Sequence, residues 1–573
     1  MNETIIGIDL GTTNSEVAVF QNGRAQVLEA EPASKLLPSM VGLAADGGLL
    51  VGRAAANQYV LFPERTIKSI KRRMGGGDKV MLGEQAYTPQ EISALILERL
   101  KRIAAAHLGK EARRAVITVP AYFSDAQRQA TRDAGAIAGL EVVRIINEPT
   151  AAALAYEAEQ QGEKHILVYD LGGGTFDVSV VRMEKGVVEV LASHGDNHLG
   201  GDDFDQKIVE YVLEYLGGQC AVDVFGSRAA MARITRAAEM AKITLSDHPY
   251  AQIGEEYLLE HEGRPFHLSL EIARSEYEAM IQGYIDQTLE ALHIALDGAG
   301  LTVSRLDEVL LVGGATRTPL IQQRLEEELR LRPRSEVDPE LCVAAGAAIQ
   351  AAQIAGTKVS SVLVDVTPYT FGTSAISELD GEWYPYKFVP LIRKNTAIPV
   401  TKSEVFYTSY DGQSVVEVMV YQGEDPDALN NTEIGRFRIE GLSAVAEANP
   451  IIATFSLDLD GILQVTAKEK RSGLQKGIAI DNATTRFERE EMDQARERIA
   501  ALVGPEVPQD AIAQEAQALI NKAQGILDGA NEEDREDLIA FIEETRDSLQ
   551  AEDIEALRKA MEQLNDLVFY LES

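Results

Sequence analysis

Asp170 and Asp177 bracket three consecutive glycines in Val168-Tyr169-Asp170-Leu171-Gly172-Gly173-Gly174-Thr175-Phe176-Asp177, and Val178-Ser179-Val180-Val181 follows. Strand, tight turn, strand is the predicted arrangement. Glycine has no Cβ, so phosphate oxygens could come close to the backbone N–H groups of such a turn. Two carboxylates beside it are hard oxygen ligands of the kind that Mg²⁺ and its waters take. Taken alone, an ordinary glycine-rich hairpin explains the stretch equally well.

A second copy changes that balance. Ile5-Ile6-Gly7-Ile8-Asp9-Leu10-Gly11-Thr12-Thr13-Asn14-Ser15 again carries an apolar strand into Asp-Leu-Gly, small residues and threonines, then returns through Val17-Ala18-Val19-Phe20. Two such hairpins, far apart in sequence, predict two related lobes facing one phosphate-bearing nucleotide.

The elements that must position these turns come next. Ala115-Val116-Ile117-Thr118-Val119-Pro120 reads as a buried strand, and Ser124 with Gln127 as a capping box opening a helix. Val142 to Ile146 is a strand running into Asn147-Glu148-Pro149-Thr150, where Pro149 suits a first helical turn. Glu148 then sits at a strand end, where α/β proteins place their chemistry, or acts as a plain cap. Arg65, Lys68, Lys71, Arg72 and Arg73 form a basic cluster in an acidic chain. They could face phosphates, though a solvated helix face accounts for most of them. Leu199-Gly200-Gly201-Asp202 before a helix, and Val312-Gly313-Gly314-Ala315 after a strand, are further close-approach points.

At 573 residues the chain is too long for one core, and length alone suggests roughly three or four domains. A formal net charge of −36 disfavours general binding to nucleic acid or anionic membranes, which needs basic patches. No apolar run approaches the roughly 18 residues of a membrane span. Cys220 and Cys342 lack metal-site spacing, so a reduced, cytoplasmic setting is expected.

Together these motifs resemble the heat shock protein 70 family, the DnaK-type chaperones. The resemblance rests on Ile8 to Ser15, Asn147 to Ala153, Asp170 to Asp177 and Gly313 to Arg317, and it extends over nearly the whole chain. The length and the long 382–390 segment look most like the HscC-type bacterial branch. The resemblance implies an α/β actin-like ATPase of two lobes over 1–356, a linker over 357–366, a β-sandwich peptide-binding domain over 367–482 and a short helical lid over 483–573. It implies that Gly11, Thr12, Thr13, Thr175 and the Gly172, Gly173 and Gly174 backbone hold phosphates, with Gly200 and Gly201 nearby. Asp9 and Asp170 would hold Mg²⁺ largely through water. Lys71 matches the residue that positions the attacking water, and Glu148 and Asp177 line the same site. Which carboxylate takes the proton stays open. Glu239, Lys242, Ser246, Gly313, Gly314 and Arg317 match adenosine-binding positions.

Val362-Leu363-Val364-Asp365 reads from its residues as a buried strand or a docking linker; the resemblance implies the linker. Arg144 and Asp365 match positions tied to coupling and to a J-domain co-chaperone. Beyond Thr367, Asp-Gly turns at 380–381, 411–412 and 460–461 separate β-rich runs in which Val416, Val418 and Val420 share a face, as do Phe455, Leu457 and Leu459. Phe406, Val416 and Val418 match peptide-pocket positions, and Ile376 stands near the usual peptide-facing methionine; core packing explains the same residues. From about Phe487 the chain is predicted helical, with a stripe through Met492, Ala495, Ile499 and Leu502 and another from Ile554 to Leu571. The implied function is ATP-driven capture and release of unfolded client polypeptides. Whether an exchange factor is needed stays open. A sugar or acetate kinase, or a filament protein, would use the two hairpins but not the C-terminal third.

Overall fold

The computed structural model describes residues 4–550 except 158–161, 221–223, 262–263, 335–337, 358, 360, 447, 480–488, 505–508 and 528–531, and residues 556–568 except 558, 562, 565 and 566. The chain divides into two compact units, 1–502 and 503–573. The expected boundary at 482–483, with Phe487, Ile554 and Leu571, lies outside the described residues.

Two six-stranded sheets carry the two aspartate hairpins. In the first, Ile5–Asp9 runs parallel to Arg114–Val119, which lies parallel to Glu141–Asn147, and antiparallel to Asn14–Gln21. In the second, Lys164–Leu171 runs parallel to Glu308–Val312 and antiparallel to Phe176–Glu184. Each aspartate-ended strand therefore has a parallel neighbour on one side and its own hairpin partner on the other. The apolar runs around both aspartates are fully buried, as strands covered on both faces require.

Small residues let two helices fill the space beside these sheets. Glu148–Glu157 and Cys342–Ile354 bury Ala151, Ala152, Ala153, Ala344, Ala347, Ala348 and Ala351. Their backbones meet at Gly346, where a Cβ would stand 1.8 Å from the Ala151 carbonyl oxygen. Nothing larger than glycine fits there. The capping box predicted at Ser124 is present, the Ser124 hydroxyl accepting from Gln127 N–H and the Gln127 side chain accepting from Ser124 N–H.

Beyond residue 366 the first unit is antiparallel. One four-stranded sheet is ordered Glu382–Ile392, Phe371–Leu379, Val415–Gln422, Thr432–Glu440; the other Val400–Tyr407, Pro450–Leu457, Leu463–Glu469, Gln475–Ala479. Phe371, Val418, Val420 and Ile439 of one and Ile451, Phe455, Leu457 and Val465 of the other form a single core. The expected face of Phe455, Leu457 and Leu459 stops one residue pair early. Its strand ends at Leu457, so Leu459 enters the turn and is 45% exposed.

The helix Arg489–Val503 buries Ala495 and Ile499 of the predicted stripe. Arg498 forks onto Glu91 at 2.5 and 2.8 Å, and Arg496 Nε donates to the Ala136 carbonyl at 3.0 Å. The second unit is helical, with Gln509–Ile526 and Glu532–Gln550 packed through Ile520, Ala523, Leu538 and Ile542 with Leu564 and Val568. Among the described residues no helix is long and apolar enough to cross a membrane.

Candidate functional site

The two hairpin turns touch. A Cβ on Gly173 would lie 1.8 Å from Thr13 Oγ1, and one on Gly174 would lie 2.7 Å from Thr12 Cγ2. The glycine turn closes with Gly172 N–H donating to the Thr175 carbonyl at 3.1 Å. A third segment seals it: Gly201 N–H donates to the Gly172 carbonyl at 2.9 Å and Asp202 N–H to that of Gly173 at 2.7 Å. Gly200 packs so closely that a Cβ would meet Gly173 C and Gly174 N at 2.5 Å. The glycines are needed for backbone-to-backbone approach between segments distant in sequence.

Between these turns lies a cavity of about 520 Å³. Asp9, Gly11, Thr12, Thr13, Gly172, Gly173, Thr175 and Gly201 line one part of it, with Lys71, Glu148 and Asp170 at its floor. Glu239, Lys242, Ser246, Gly313, Gly314 and Arg317 line another part. Gly174, Gly200 and Asp177 support the wall from behind. Asp177 accepts from Ala121 N–H at 2.8 Å and Tyr122 N–H at 3.1 Å, tying the second sheet to the loop after Arg114–Val119.

The floor is strongly anionic around one cation. Lys71 Nζ donates to Glu148 Oε1 at 2.5 Å, and both side chains are buried. Burial pushes the Glu148 carboxyl up to about 7, against the pull of Lys71. Burial also raises Asp170 and Asp177 well above the usual carboxylate range, reinforced for both by neighbouring Glu148. Burial works against the charge of Lys71, yet Glu148 and Asp9 hold its ammonium above its ordinary value. One Asp170 oxygen, Oδ2, is buried without a hydrogen-bond partner, in the cavity that Lys71 also lines. This donor set fits a divalent cation. Among the described residues no three ligating side chains converge closely enough to hold a metal directly. Water and phosphate oxygens would have to complete its shell.

Within the basic cluster, Lys68 and Arg73 are exposed as a solvated face expects, whereas Lys71 and Arg72 depart from it. Lys71 is 4% exposed at the cavity floor, and Arg72 Nη2 reaches across to the His198 carbonyl at 2.6 Å and to Asp203 Oδ1 at 3.1 Å. Ser69 Oγ donates to Asp202 Oδ2 at 2.7 Å beside it. These contacts span more than 120 residues of sequence, which periodicity does not register. On the other side, Lys242 pairs with Asp205 Oδ1 at 2.8 Å, and Arg317 with Glu340 at 3.0 Å and Asp338 at 3.3 Å.

Val362–Val366 is both a strand and a connection. It pairs parallel to Val187–Asp196 through Val362, Leu363 and Val364, then antiparallel to Ala397–Ile398 through Asp365 and Val366. Asp365 is buried and accepts from Asn147 Nδ2 at 2.9 Å and Thr150 Oγ1 at 3.1 Å, the residues on either side of Glu148 and Pro149. Arg144 Nε stands 3.7 Å from Asp460 Oδ1. Asp460 also accepts Ile145 N–H at 2.9 Å and pairs with Arg132, while Leu463 N–H donates to Asp125 at 2.9 Å. The 460–461 turn was legible in the sequence, but not the backbone amide its carboxylate would find.

Val418 is buried in the core shared by the two four-stranded sheets, with Phe406 and Val416 packed against it. Ile376 lies apart from that core and is 55% exposed. Residues that the sequence reading passed over include Thr118, whose Oγ1 donates to Asp9 Oδ1 at 2.7 Å. Glu16, buried and directly opposite Asp9 in register, is another. Its position two residues past Asn14 on a strand leaving the turn was the available signal.

The chain matches the Hsp70 protein family over residues 5–81 and 77–572. It is similar to the chaperone protein DnaK of Thermotoga neapolitana, 46% identical over 486 residues that cover 83% of this chain and 80% of the relative. The DnaK chaperones of Thermotoga petrophila and Thermotoga maritima match to the same extent. With two glycine hairpins closing on a carboxylate-lined cavity, and that match running through the antiparallel sheets and the helices, the chain belongs to the Hsp70 family of ATP-hydrolysing chaperones that bind unfolded polypeptides.

Proposed function

We propose that residues 1–356 form an actin-like ATPase domain of two lobes, 357–366 the linker, 367–482 a β-sandwich that holds extended apolar peptide, and 483–573 a lid. The observation that carries this reading is the mutual contact of the two aspartate hairpins over the Lys71–Glu148 pair. Backbone N–H groups at 11–13 and 172–175 would take the β- and γ-phosphates, and the glycine pairs at 200–201 and 313–314 would leave room for the rest of ATP. Mg²⁺, held by Asp9 and Asp170 through water, would supply charge neutralisation at the phosphates. Lys71, fixed by Glu148, would orient the attacking water, with Thr175 against the γ-phosphate. Adenosine would lie against Glu239, Lys242, Ser246 and Arg317, with Ile243 beside it.

Coupling would run from Glu148 through its neighbours Asn147 and Thr150 to Asp365, hence to whether Val362–Val366 stays paired in the second sheet. Arg144 and the linker would face a J-domain co-chaperone. Val418, Phe406, Val416 and Ile376 would meet peptide when the sheets part. The setting would be cytoplasmic, and the short lid and long 382–390 segment favour the HscC-type branch. The test is release of a fluorescent unfolded peptide on adding ATP with Mg²⁺. Fast release in the native chain and slow release in Thr175→Ala is expected. Release indifferent to ATP in the native chain would overturn the coupling.

A further inference from the structure

Lys242 stands where two walls of the cavity meet. It belongs to the helix Arg228–Asp247, in which Glu239, Lys242 and Ser246 are spaced three and four residues apart and so share the face that lines the cavity. The ammonium crosses from that face to the first turns of the helix Gly201–Tyr215. There Nζ donates to the Gly201 carbonyl at 3.2 Å and stands 2.8 Å from Asp205 Oδ1. A Cβ on Gly201 would lie only 3.1 Å from that nitrogen. Gly201 in turn gives its N–H to the Gly172 carbonyl, and Asp202 gives its own to that of Gly173. One ammonium therefore ties the helix that carries Glu239 and Ser246 to the glycine turn of the second hairpin.

The pair is sheltered from water. The Lys242 and Asp205 side chains are 15% and 9% exposed. Exposed ion pairs contribute little, whereas removing one partner of a sheltered pair strands the other charge. Burial pushes the Asp205 carboxyl up to about 6, against the pull of Lys242. Glu239 from the Lys242 helix and Asp202 from its own helix add like charge. From the helix Arg274–Ala299 comes the buried Tyr277 hydroxyl, which burial raises and the Asp205 charge raises further.

We propose that Asp205 is a positioning residue for nucleotide retention: by fixing Lys242 against Gly201 it braces the adenosine wall to the glycine turn, and its protonation frees the brace and speeds loss of ADP. The inference rests on the reading that adenosine lies against Lys242. Above about pH 6 the carboxylate is charged and the brace is complete. As pH falls through that value Asp205 becomes neutral, and Lys242 keeps only the Gly201 carbonyl. The helix Arg228–Asp247 and the first turn of Gly201–Tyr215 then part more easily.

The full chain is loaded with radiolabelled ADP and Mg²⁺ and chased with excess ATP between about pH 8 and about pH 5, beside Asp205→Asn, Lys242→Met and the double variant. Glu148, Asp170 and Asp177 are present in all four proteins, so the readout is a ratio of release rates at each pH. Asp205→Asn should release ADP about tenfold faster than the native chain at the alkaline end. That ratio should fall to near one at the acid end, where the native carboxyl is neutral as well. In the Lys242→Met background, Asp205→Asn should change little at any pH, since it acts through that ammonium. A ratio of Asp205→Asn to native that stays constant across the range would leave Asp205 a purely structural role and overturn the proposal. If Asp205→Asn does not fold, Lys242→Met and the native chain decide: their ratio should shrink about tenfold from the alkaline to the acid end, and a constant ratio refutes the brace. If Lys242→Met releases ADP at the native rate at every pH, adenosine does not lie on this wall, and that reading fails and takes the brace with it.

Discussion

Asp460→Ala isolates how firmly the antiparallel sheets are held against the first six-stranded sheet. The side chain is 12% exposed. It accepts the Ile145 N–H at 2.9 Å, pairs with Arg132 and stands 3.7 Å from Arg144 Nε. A hydrogen bond to a charged group contributes about 1.5–3 kcal/mol, and stripping one partner from a buried pair costs about 3–5 kcal/mol. Partial exposure argues for the lower end, so we take about 3 kcal/mol, on the order of a hundredfold in an equilibrium constant. The equilibrium in question is release of the sheets, because Val362–Val366 is zipped on one side to Val187–Asp196 and on the other to Ala397–Ile398. Amide hydrogen exchange reads that opening directly. Protection of the Val362 to Val366 amides, including the Val362 N–H bound to the Gly186 carbonyl, should fall about a hundredfold. Protection within Lys164–Leu171 should not change. In the Asp460→Ala background, Arg132→Ala should add little, since the two act as one pair. A change in protection of Val362–Val366 below about threefold would refute the reasoning and place the restraint elsewhere, first at Asp125 and the Leu463 N–H.

Two other perturbations act at the cavity. Glu148 carries a folded pKa of about 7 against an ordinary 4.5, raised chiefly by burial. Its contribution to stability is therefore complete below about pH 4.5 and is lost as pH rises through about 7. The nucleotide-free protein should lose melting temperature over that window, and Glu148→Gln should flatten the loss. Single-turnover ATP hydrolysis should move the other way, rising between about pH 6 and 8 as the carboxylate that fixes Lys71 forms. Gly200→Ala would force a Cβ to within 2.5 Å of Gly173 C and Gly174 N, so the turn must shift. Nucleotide affinity should drop at least about tenfold by calorimetry, and the unfolding midpoint should fall as well, because the atoms that must give way are backbone.

Local patterns in this chain carried a long way. Strand–Asp–Gly–strand at 5–15 and 168–178 is readable because a β-strand alternates or saturates with apolar residues, and because only glycine and small residues pass so tight a turn beside a ligand. The Ser124 capping box and the Asp-Gly turns are legible for the same reason: each is decided by neighbours within four or five residues. Lys71 and Arg72 were visible only as charges. That one of them is buried against Glu148 and the other clasps Asp203 depends on contacts across 77 and 131 residues of chain.

Val362-Leu363-Val364-Asp365 marks the same boundary in one segment. Its apolar run and closing acid were enough to predict something that must be buried, and not enough to say against what. The tertiary structure supplies the partners: a parallel edge at Val187–Asp196, a carboxylate socket at Asn147 and Thr150, and Ala397–Ile398 beyond. By itself the sequence determined two phosphate-type turns, their aspartates and the chain's Hsp70 resemblance, since those follow from backbone geometry that residue type dictates locally. Only the fold decided which carboxylates are buried together, that Asp460 reaches Ile145, and that Trp383 is left in water. Burial and pairing at a distance are set by how surfaces close on one another, and no short window of residues contains that information.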